Sequence, residues 1–201
     1  MARTGRPRAF DRDAALNAAM RLFWAQGYEP TSLSQLKAVM GDLSTASFYA
    51  AFSSKEALFR EVIDLYLATY GRVTRSLQDQ SLPPRQAVEA ALRQSARMQS
   101  DGEHPRGCFI TLGANNCSPE NAHVARLLEE VRRRDRAGIE ARLMQARAAG
   151  EFPLEFDTKP LATVLSTVLA GIAIEARDGR GSADLDAAIS QVMTLWPASI
   201  A

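Results

Sequence analysis

Apolar residues recur at helical spacing through the first quarter of the chain. Between residues 11 and 52 they fall at intervals of three, four and seven positions, which is the period of one face of an α-helix. The pattern predicts three short helices, ending near Gln26, Met40 and Phe52, that share one small core. The residues expected in that core are Leu16, Met20, Phe23, Leu33, Leu36, Met40, Phe48 and Phe52.

Helix start signals stand before the second and third helices and before a further, longer apolar run. Ser32 and Gln35 have the spacing of a capping box, in which each side chain bonds the other residue's backbone N–H. Ser53 and Glu56 have the same spacing, and Ser44 follows a Gly-Asp break. Helices separated by so tight a break are typical of a helix-turn-helix unit, whose second helix lies in the DNA major groove.

The helix after the break, residues 44 to 52, turns small or hydroxylated side chains away from the core. Such side chains let the helix backbone approach the edges of base pairs closely. An ordinary polar helix face is the alternative interpretation. The candidates for DNA contact are Thr45, Ala46, Ser47, Tyr49 and Ala50, with Ser32 and Ser34 on the preceding helix as weaker ones.

Two motifs combine a glycine turn, an aromatic pair and a lysine in fixed order. They are Phe23-x-x-x-Gly27-Tyr28-x-x-Thr31-Ser32 and the run from Leu43 to Leu58, Leu-Ser-Thr-Ala-Ser-Phe-Tyr-x-x-Phe-Ser-Ser-Lys-Glu-Ala-Leu. On these residues the chain resembles the TetR family of bacterial one-component regulators over roughly residues 10 to 60. The resemblance implies a DNA-binding regulator, by default a repressor, that acts as a homodimer and leaves double-stranded operator DNA on binding a small-molecule effector.

The same resemblance gives two residues a specific role. By the family pattern, Tyr49 and Lys55 contact DNA phosphates. Lys55 would add its charge where the N-terminus of the next helix already points amide hydrogens at the DNA backbone. The alternative is a half-buried Tyr49 and a Lys55 that is merely solvated in a first helical turn.

The first ten residues predict a flexible basic arm. They carry Arg3, Arg6 and Arg8 without an acidic residue, and Gly5 and Pro7 prevent a stable helix. Such an arm gains affinity for DNA by displacing counterions and can enter an adjacent minor groove. A soluble tail without function is the alternative.

Helical patterns continue to the end of the chain. From Lys55 to about Gln78 they predict one continuous helix, some 36 Å long at about 1.5 Å per residue, that could transmit movement between the DNA-binding part and the remainder. We expect about nine helices and no strand. The later ones are predicted from Pro84 to Ser100, from Cys108, from Ser118 to Ala149, from Thr158 to Arg177 and from Ser182 to Trp196.

These helices define an all-α fold. An N-terminal helix-turn-helix domain, residues 1–54, is joined by the long helix to a ligand-binding and dimerisation domain, residues 55–201. In the TetR family the last two long helices commonly form a four-helix dimer interface. Burial within one subunit is the alternative for the predicted interface residues, which are Leu161, Leu165, Val168, Leu169, Ile172, Leu185, Ile189, Val192, Met193 and Trp196.

An effector cavity is expected among the helices between residues 59 and 147. Apolar and aromatic side chains with a few polar groups suit a small-molecule site. Ordinary core packing is the alternative for the aromatic residues and Met98, and a helix end for the two asparagines. The candidates are Tyr66, Tyr70, Met98, Cys108, Phe109, Leu112, Asn115 and Asn116.

Cys108 and Cys117 raise the alternative of a redox-sensing regulator. Nine positions along a continuous helix would place them roughly 13 Å apart along its axis, beyond disulfide reach. Cys108 follows a glycine near a helix start, where a thiol pKa can be lowered. No close cysteine or histidine pair predicts a metal site, and no cofactor motif is present.

The overall composition is compatible with a regulator without requiring one. The 201 residues are 46% hydrophobic and carry a formal charge of +1, so DNA affinity must come from locally placed charge. The N-terminus lacks the apolar stretch of a signal peptide, and Leu161–Ile174 is shorter than the roughly 18 residues of a membrane span. These features favour a cytoplasmic protein. No nucleophile with a base and no P-loop indicates an enzyme, although a helical small-molecule carrier without DNA function stays an alternative.

Overall fold

A computed structural model describes residues 11–153 and 155–197. In these residues the chain forms nine α-helices and three short 3-10 helices, with no strand, which confirms the predicted all-α class. The α-helices are α1 (Arg12–Gln26), α2 (Leu33–Val39), α3 (Thr45–Phe52), α4 (Lys55–Ala68), α5 (Pro84–Ser100), α6 (Phe109–Leu112), α7 (Ala122–Ala148), α8 (Thr158–Arg177) and α9 (Ser182–Val192). The 3-10 helices are Tyr70–Gln78, Pro119–Asn121 and Met193–Leu195.

Side-chain caps fix the N-terminal ends of α2 and α3. Ser32 Oγ accepts from the Gln35 amide at 3.1 Å, and Gln35 Oε1 accepts from the Ser32 amide at 2.8 Å, so the first capping box is present. Ser44 Oγ caps α3 by accepting from the Ser47 amide at 3.0 Å. Between α2 and α3 the chain turns through Gly41 and Asp42, which have φ values of 92° and 56°. That left-handed turn is why a Gly-Asp pair stands there.

The second capping box was predicted one residue early. Ser53 ends α3 in a left-handed conformation with φ of 61°, and Ser54 is the residue that caps α4, accepting from the Ala57 amide at 2.9 Å. Glu56 therefore does not reach back to a cap. Its carboxylate instead pairs with Arg60 and with His123.

The predicted long helix from Lys55 to Gln78 was also wrong, because α4 ends at Ala68. Thr69 leaves the helical conformation, with φ of −120° and ψ of −94°, and its hydroxyl donates to the Leu65 carbonyl at 2.7 Å. A threonine hydroxyl that bonds the preceding turn competes with the backbone ladder. After it the chain tightens into a 3-10 helix, and a Cβ at Gly71 would lie 3.1 Å from the Tyr66 carbonyl. The straight element is thus about 21 Å long.

Two apolar cores lie along the molecule. The first joins α1 to α4 with α6 and the start of α7, and its centre is an aromatic cluster in which the Phe23 and Phe59 rings are 5.0 Å apart. The second joins α5, α8 and α9 with the later part of α7. Because α7 contributes Val124 to the first core and Leu143 to the second, it links them. The division at residues 54 and 55 stays a prediction, and the first core extends across it.

Most of the residues predicted for the dimer interface belong to the second core. Since they are buried within one subunit, they do not offer a surface to another, and for them the prediction needs correction. Val168, Leu169 and Val192 are half-buried. The buried ones are Leu161, Leu165, Ile172, Leu185, Ile189, Met193 and Trp196.

Helix α8 nevertheless keeps an apolar outer side. Val164 and Ile174 are 39% and 54% exposed, with Gly171 between them on the same side. The helix has 20 residues and is long and apolar enough to cross a membrane by length and composition, with 33% of that stretch buried inside the subunit. The apolar helix extends beyond Leu161–Ile174 at both ends, so the length expected from that segment alone was too short.

Candidate DNA-binding surface

Helix α3 presents all five predicted contact residues to solvent. Thr45, Ala46, Ser47, Tyr49 and Ala50 are exposed, and the Tyr49 side chain is 48% exposed. On the opposite side of the helix, the two phenylalanines of α3 are fully buried in the first core. The outer face is therefore held rigidly by its own core and is free of bulky aliphatic side chains.

Two of the hydroxyls on this face already have protein partners. Lys37 Nζ donates to Thr45 Oγ1 at 2.8 Å, and Ser44 Oγ donates to Ser47 Oγ at 2.9 Å. Lys37 lies in the last turn of α2, so its ammonium stands beside the start of α3. Sequence reasoning missed Lys37, because only the packing of α2 against α3 brings it to this face. Its position four residues before Gly41, at the start of the turn, was the available signal.

Lys55 is less exposed than the family pattern suggested. Its Nζ lies 4.2 Å from the centre of the Tyr28 ring, a cation–π arrangement. Burial lowers the pKa of Lys55, and the nearby Glu29 carboxylate acts in the opposite direction. The structure thus places the ammonium against protein, and its contact with phosphate stays a prediction.

The remaining DNA-binding candidates have mixed positions. Ser32 is exposed, but its hydroxyl is occupied as the cap of α2, whereas Ser34 is exposed without that role. Arg3, Arg6 and Arg8 lie outside the described residues.

Polar contacts tie the base of α4 to α7. Glu56 accepts a hydrogen bond from Arg60 at 2.8 Å and lies 2.9 Å from His123 Nε2. The hydrogen bond from Arg60 is the larger cause, and that from His123 the smaller, of a lowered pKa of Glu56. In the turn after α1, Glu29 accepts from Asn121 Nδ2 at 3.0 Å. The helix-turn-helix part is thereby fastened to the start of α7.

A cavity lies in the body of the protein, between α4, α5, α7 and α8. Of the predicted effector residues, Tyr66 and Cys108 line it, with Tyr66 Oη 3.5 Å from Cys108 Sγ. The other six do not line this cavity. Tyr70 packs on Trp24, Phe109 is fully buried, Met98 packs against the first core, Leu112 is half-buried, and Asn115 and Asn116 are exposed. Sequence reasoning missed the lining residues Thr74, Ser95, Gln99, Arg132, Asp135 and Ser166.

The two cysteines are free and half-buried. They do not share a helix, because α6 ends at Leu112, so the predicted separation along one axis does not apply. Burial raises the pKa of Cys117, which lowers the fraction of reactive thiolate. Within residues 11–153 and 155–197 no group of histidine, cysteine and acidic residues could hold a metal ion.

An exposed recognition helix on a three-helix head, joined to a helical body with an internal cavity, defines a helix-turn-helix regulator. Comparison with known families agrees. Residues 15–62 match the family model described as "Bacterial regulatory proteins, tetR family", and residues 84–199 match "Tetracyclin repressor-like, C-terminal domain". The chain belongs to the TetR family of bacterial transcriptional regulators, as its motifs predicted, and is a DNA-binding regulator, not an enzyme.

Individual relatives extend the likeness over the whole chain. The HTH-type transcriptional repressor ComR of Escherichia coli K12 is 34% identical over 197 residues, covering 96% of this chain and 92% of ComR. The repressor BdcR of the same organism is 26% identical over 175 residues, covering 87% of this chain and 83% of BdcR.

A similar solved structure contains DNA. A cysteine-substituted form of the TetR family transcriptional regulator CifR, in complex with 26-bp double-stranded operator DNA, superposes with a TM-score of 0.86. It is 38% identical to this chain, and the match covers 96% of this chain and 100% of that one.

Proposed function

We propose that this protein is a transcriptional repressor that binds a palindromic operator as a homodimer and releases it when a small molecule occupies the cavity. The observation that carries the proposal is the exposed face of α3. Its side chains are small or hydroxylated and stand on a rigid apolar base, which is what a helix needs to enter a major groove. The DNA-bound CifR and the repressors ComR and BdcR support the same function.

Base and phosphate contacts divide between residues in this proposal. Thr45, Ala46, Ser47 and Ala50 meet base edges, while Tyr49 bonds a phosphate. Lys37 adds a positive charge at the start of α3, where it already holds Thr45. The predicted arm, with Arg3, Arg6 and Arg8, would add affinity through released counterions.

Two subunits pair through the outer side of α8 and the neighbouring end of α9. Val164, Gly171 and Ile174 provide an apolar strip with a glycine that permits close helix approach, and Leu195 is 53% exposed beside α9. A twofold dimer places two α3 helices about one turn of DNA apart, roughly 34 to 36 Å, so each reads one half of a palindrome.

Release follows from differential binding. Tyr66 lines the cavity and also packs against Trp24 of α1, with ring centres 4.9 Å apart. In one arrangement of the two subunits, the α3 helices cannot reach both half-sites at once. A ligand that binds this arrangement more tightly lowers the affinity for the operator, and bound DNA in turn lowers the affinity for the ligand. A regulator of this kind acts in the cytoplasm, where the DNA is.

The alternatives have less support. In a cysteine-based sensor Cys108 would be the reactive group, since it lines the cavity, but the raised pKa of Cys117 disfavours that residue as a second reactive thiol. A carrier without DNA function would not need the exposed α3 face or its caps.

Selection of bound fragments from random DNA tests the proposal. We expect enrichment of an inverted repeat by the wild-type dimer. Binding to the selected site should fall at least tenfold for Tyr49→Ala and stay unchanged for Met144→Ala, a control at a 57% exposed residue of α7. Failure to enrich any sequence at low salt would refute the proposal.

A further inference from the structure

The cavity has a mainly apolar wall. The cavity volume is about 80 Å³, and its mouth opens to solvent. Leu67, Val73, Ile110, Val131 and Leu169 line it from five different segments of the chain. A lining of this kind suits a small organic molecule with an apolar body.

Two polar side chains in the wall lack partners. Ser95 and Gln99 are 0% and 2% exposed and both line the cavity. Ser95 Oγ and Gln99 Oε1 have no hydrogen-bond partner among the residues that the structure describes. They stand four positions apart on α5, so their side chains lie on the same face of the helix.

Leaving these atoms without partners is costly. A buried polar atom without a hydrogen bond destabilises a fold, so such atoms call for an explanation. A pair of them, side by side in a cavity wall, is explained when a ligand supplies the missing bonds. Ser95 can donate a proton and Gln99 Oε1 can accept one.

The wall also carries charged groups of both signs. Burial raises the pKa of Asp135, while the hydrogen bond that it accepts from Thr74 acts in the opposite direction. Two arginines of α7, Arg132 and Arg136, also line the cavity. Arg132 Nη1 donates to the Ile110 carbonyl at 2.6 Å. A carboxylate ligand would meet Asp135 and an ammonium ligand would meet the arginines, so a ligand of either charge would face a group of its own sign.

We propose that the cavity binds a small uncharged alcohol, whose hydroxyl accepts a hydrogen bond from Ser95 and donates one to Gln99 Oε1 while its apolar body fills the remaining space. A single ligand hydroxyl, which can accept and donate at once, would give both Ser95 Oγ and Gln99 Oε1 a hydrogen-bond partner. That this ligand is the effector rests on the function proposed above, whereas its chemical class rests on the cavity alone.

A matched series of probes tests the chemical class by calorimetry. Benzyl alcohol, toluene, benzoate and benzylamine share one ring and differ in the group attached to it. We expect wild-type protein to bind benzyl alcohol at least tenfold more tightly than benzoate or benzylamine. Equal or tighter binding of either ion, or no binding of any probe, would overturn the proposal.

Substitutions test the two polar atoms separately. Ser95→Ala and Gln99→Met should each weaken benzyl alcohol binding about tenfold, because each leaves one end of the hydroxyl without a partner. Binding of toluene should be unchanged or stronger. The control is Ser100→Ala, since Ser100 lies on the same helix but bonds the Ala96 carbonyl outside the cavity. If both Ser95→Ala and Gln99→Met bind benzyl alcohol with the affinity of the wild type, the assignment is refuted.

The same samples separate this inference from the proposed function. Neither cavity variant should lose thermal stability, since each removes a polar atom without a partner, so weaker binding is not explained by misfolding. Operator binding is measured with and without benzyl alcohol. Binding of the alcohol through Ser95 and Gln99 without operator release would uphold the ligand class and contradict effector release.

Discussion

The indole Nε1 of Trp24 donates a hydrogen bond to the carbonyl of Gly107 at 3.2 Å. Trp24 belongs to α1 of the DNA-binding part, and Gly107 belongs to the loop before α6. The Trp24 carbonyl in turn accepts from Arg177 at the end of α8, and His104 stacks on the indole with ring centres 4.6 Å apart. A single residue of α1 is thus held both by the loop before α6 and by the end of α8.

Replacing Trp24 by phenylalanine should weaken this junction. The change leaves the Gly107 carbonyl without its donor, so we expect the free energy of unfolding to fall by about 1–3 kcal/mol, measured by denaturant titration. Trp196→Phe is the matched control, since Trp196 is also buried but makes no side-chain hydrogen bond in the described structure. Equal losses in the two variants would contradict a specific role for the indole N–H.

Gly107 itself should not tolerate a side chain. Its φ is +86°, and a Cβ would lie 2.7 Å from the Ala173 carbonyl and 2.8 Å from Leu112. We therefore expect Gly107→Ala to lower the free energy of unfolding by about 3 kcal/mol or more. Gly102→Ala, in the same loop with nothing within 4 Å of its Cβ position, should cost little. A stable Gly107→Ala protein would show that the loop can move away from α8.

Ile174→Glu should dissociate the dimer. A charge placed on the outer strip of α8 would be buried without a partner when two subunits meet. We expect monomers by analytical ultracentrifugation and at least a tenfold loss of operator affinity. Met144→Glu puts the same charge at an equally exposed apolar residue of α7 and should leave the dimer intact. Dimers in Ile174→Glu would place the interface elsewhere.

Lys37→Ala should weaken DNA binding without changing its sequence preference. A lysine that contacts phosphate contributes through counterion release. In a plot of the logarithm of the binding constant against the logarithm of the salt concentration, the slope should therefore become shallower by about one unit. Lys159→Ala removes an exposed lysine at the N-terminal end of α8 and serves as the control. An unchanged slope in Lys37→Ala would limit Lys37 to holding Thr45.

Glu56 should contribute to stability in a pH-dependent manner. Its pKa is lowered in the folded protein, so its stabilising effect is present above the ordinary glutamate value and is lost as pH falls through the folded pKa. Because the ion pairs of Glu56 with Arg60 and His123 are partly exposed, Glu56 should contribute no more than about 1 kcal/mol to the free energy of unfolding. The free energy of unfolding in urea is measured at pH 7 and near pH 3. Its change between the two pH values should be smaller for Glu56→Gln than for the wild type, and an equal change would contradict the linkage.

Local signals were sufficient for the DNA-binding head and insufficient for the cavity. Caps, turns and apolar spacing are encoded within a few residues, so α1, α2 and α3 were predicted closely. The missing partners of Ser95 and Gln99 depend on six segments meeting in space, α5 among them, which no local pattern records. The end of α4 at Thr69 was missed because the apolar period continues through it, and the hydroxyl that breaks the helix gives a weak signal.

The first core also limits how this regulator can be divided. Its aromatic cluster includes Phe109 from beyond α5, and the Tyr28 amide donates to the Gly113 carbonyl at 2.7 Å. A fragment that stopped after α4 would expose Phe59 and Tyr66, which are fully covered in the complete chain. Chimaeras that graft this head onto another sensory body would therefore have to carry residues 104–128 with it, or rebuild the apolar cover that those residues provide.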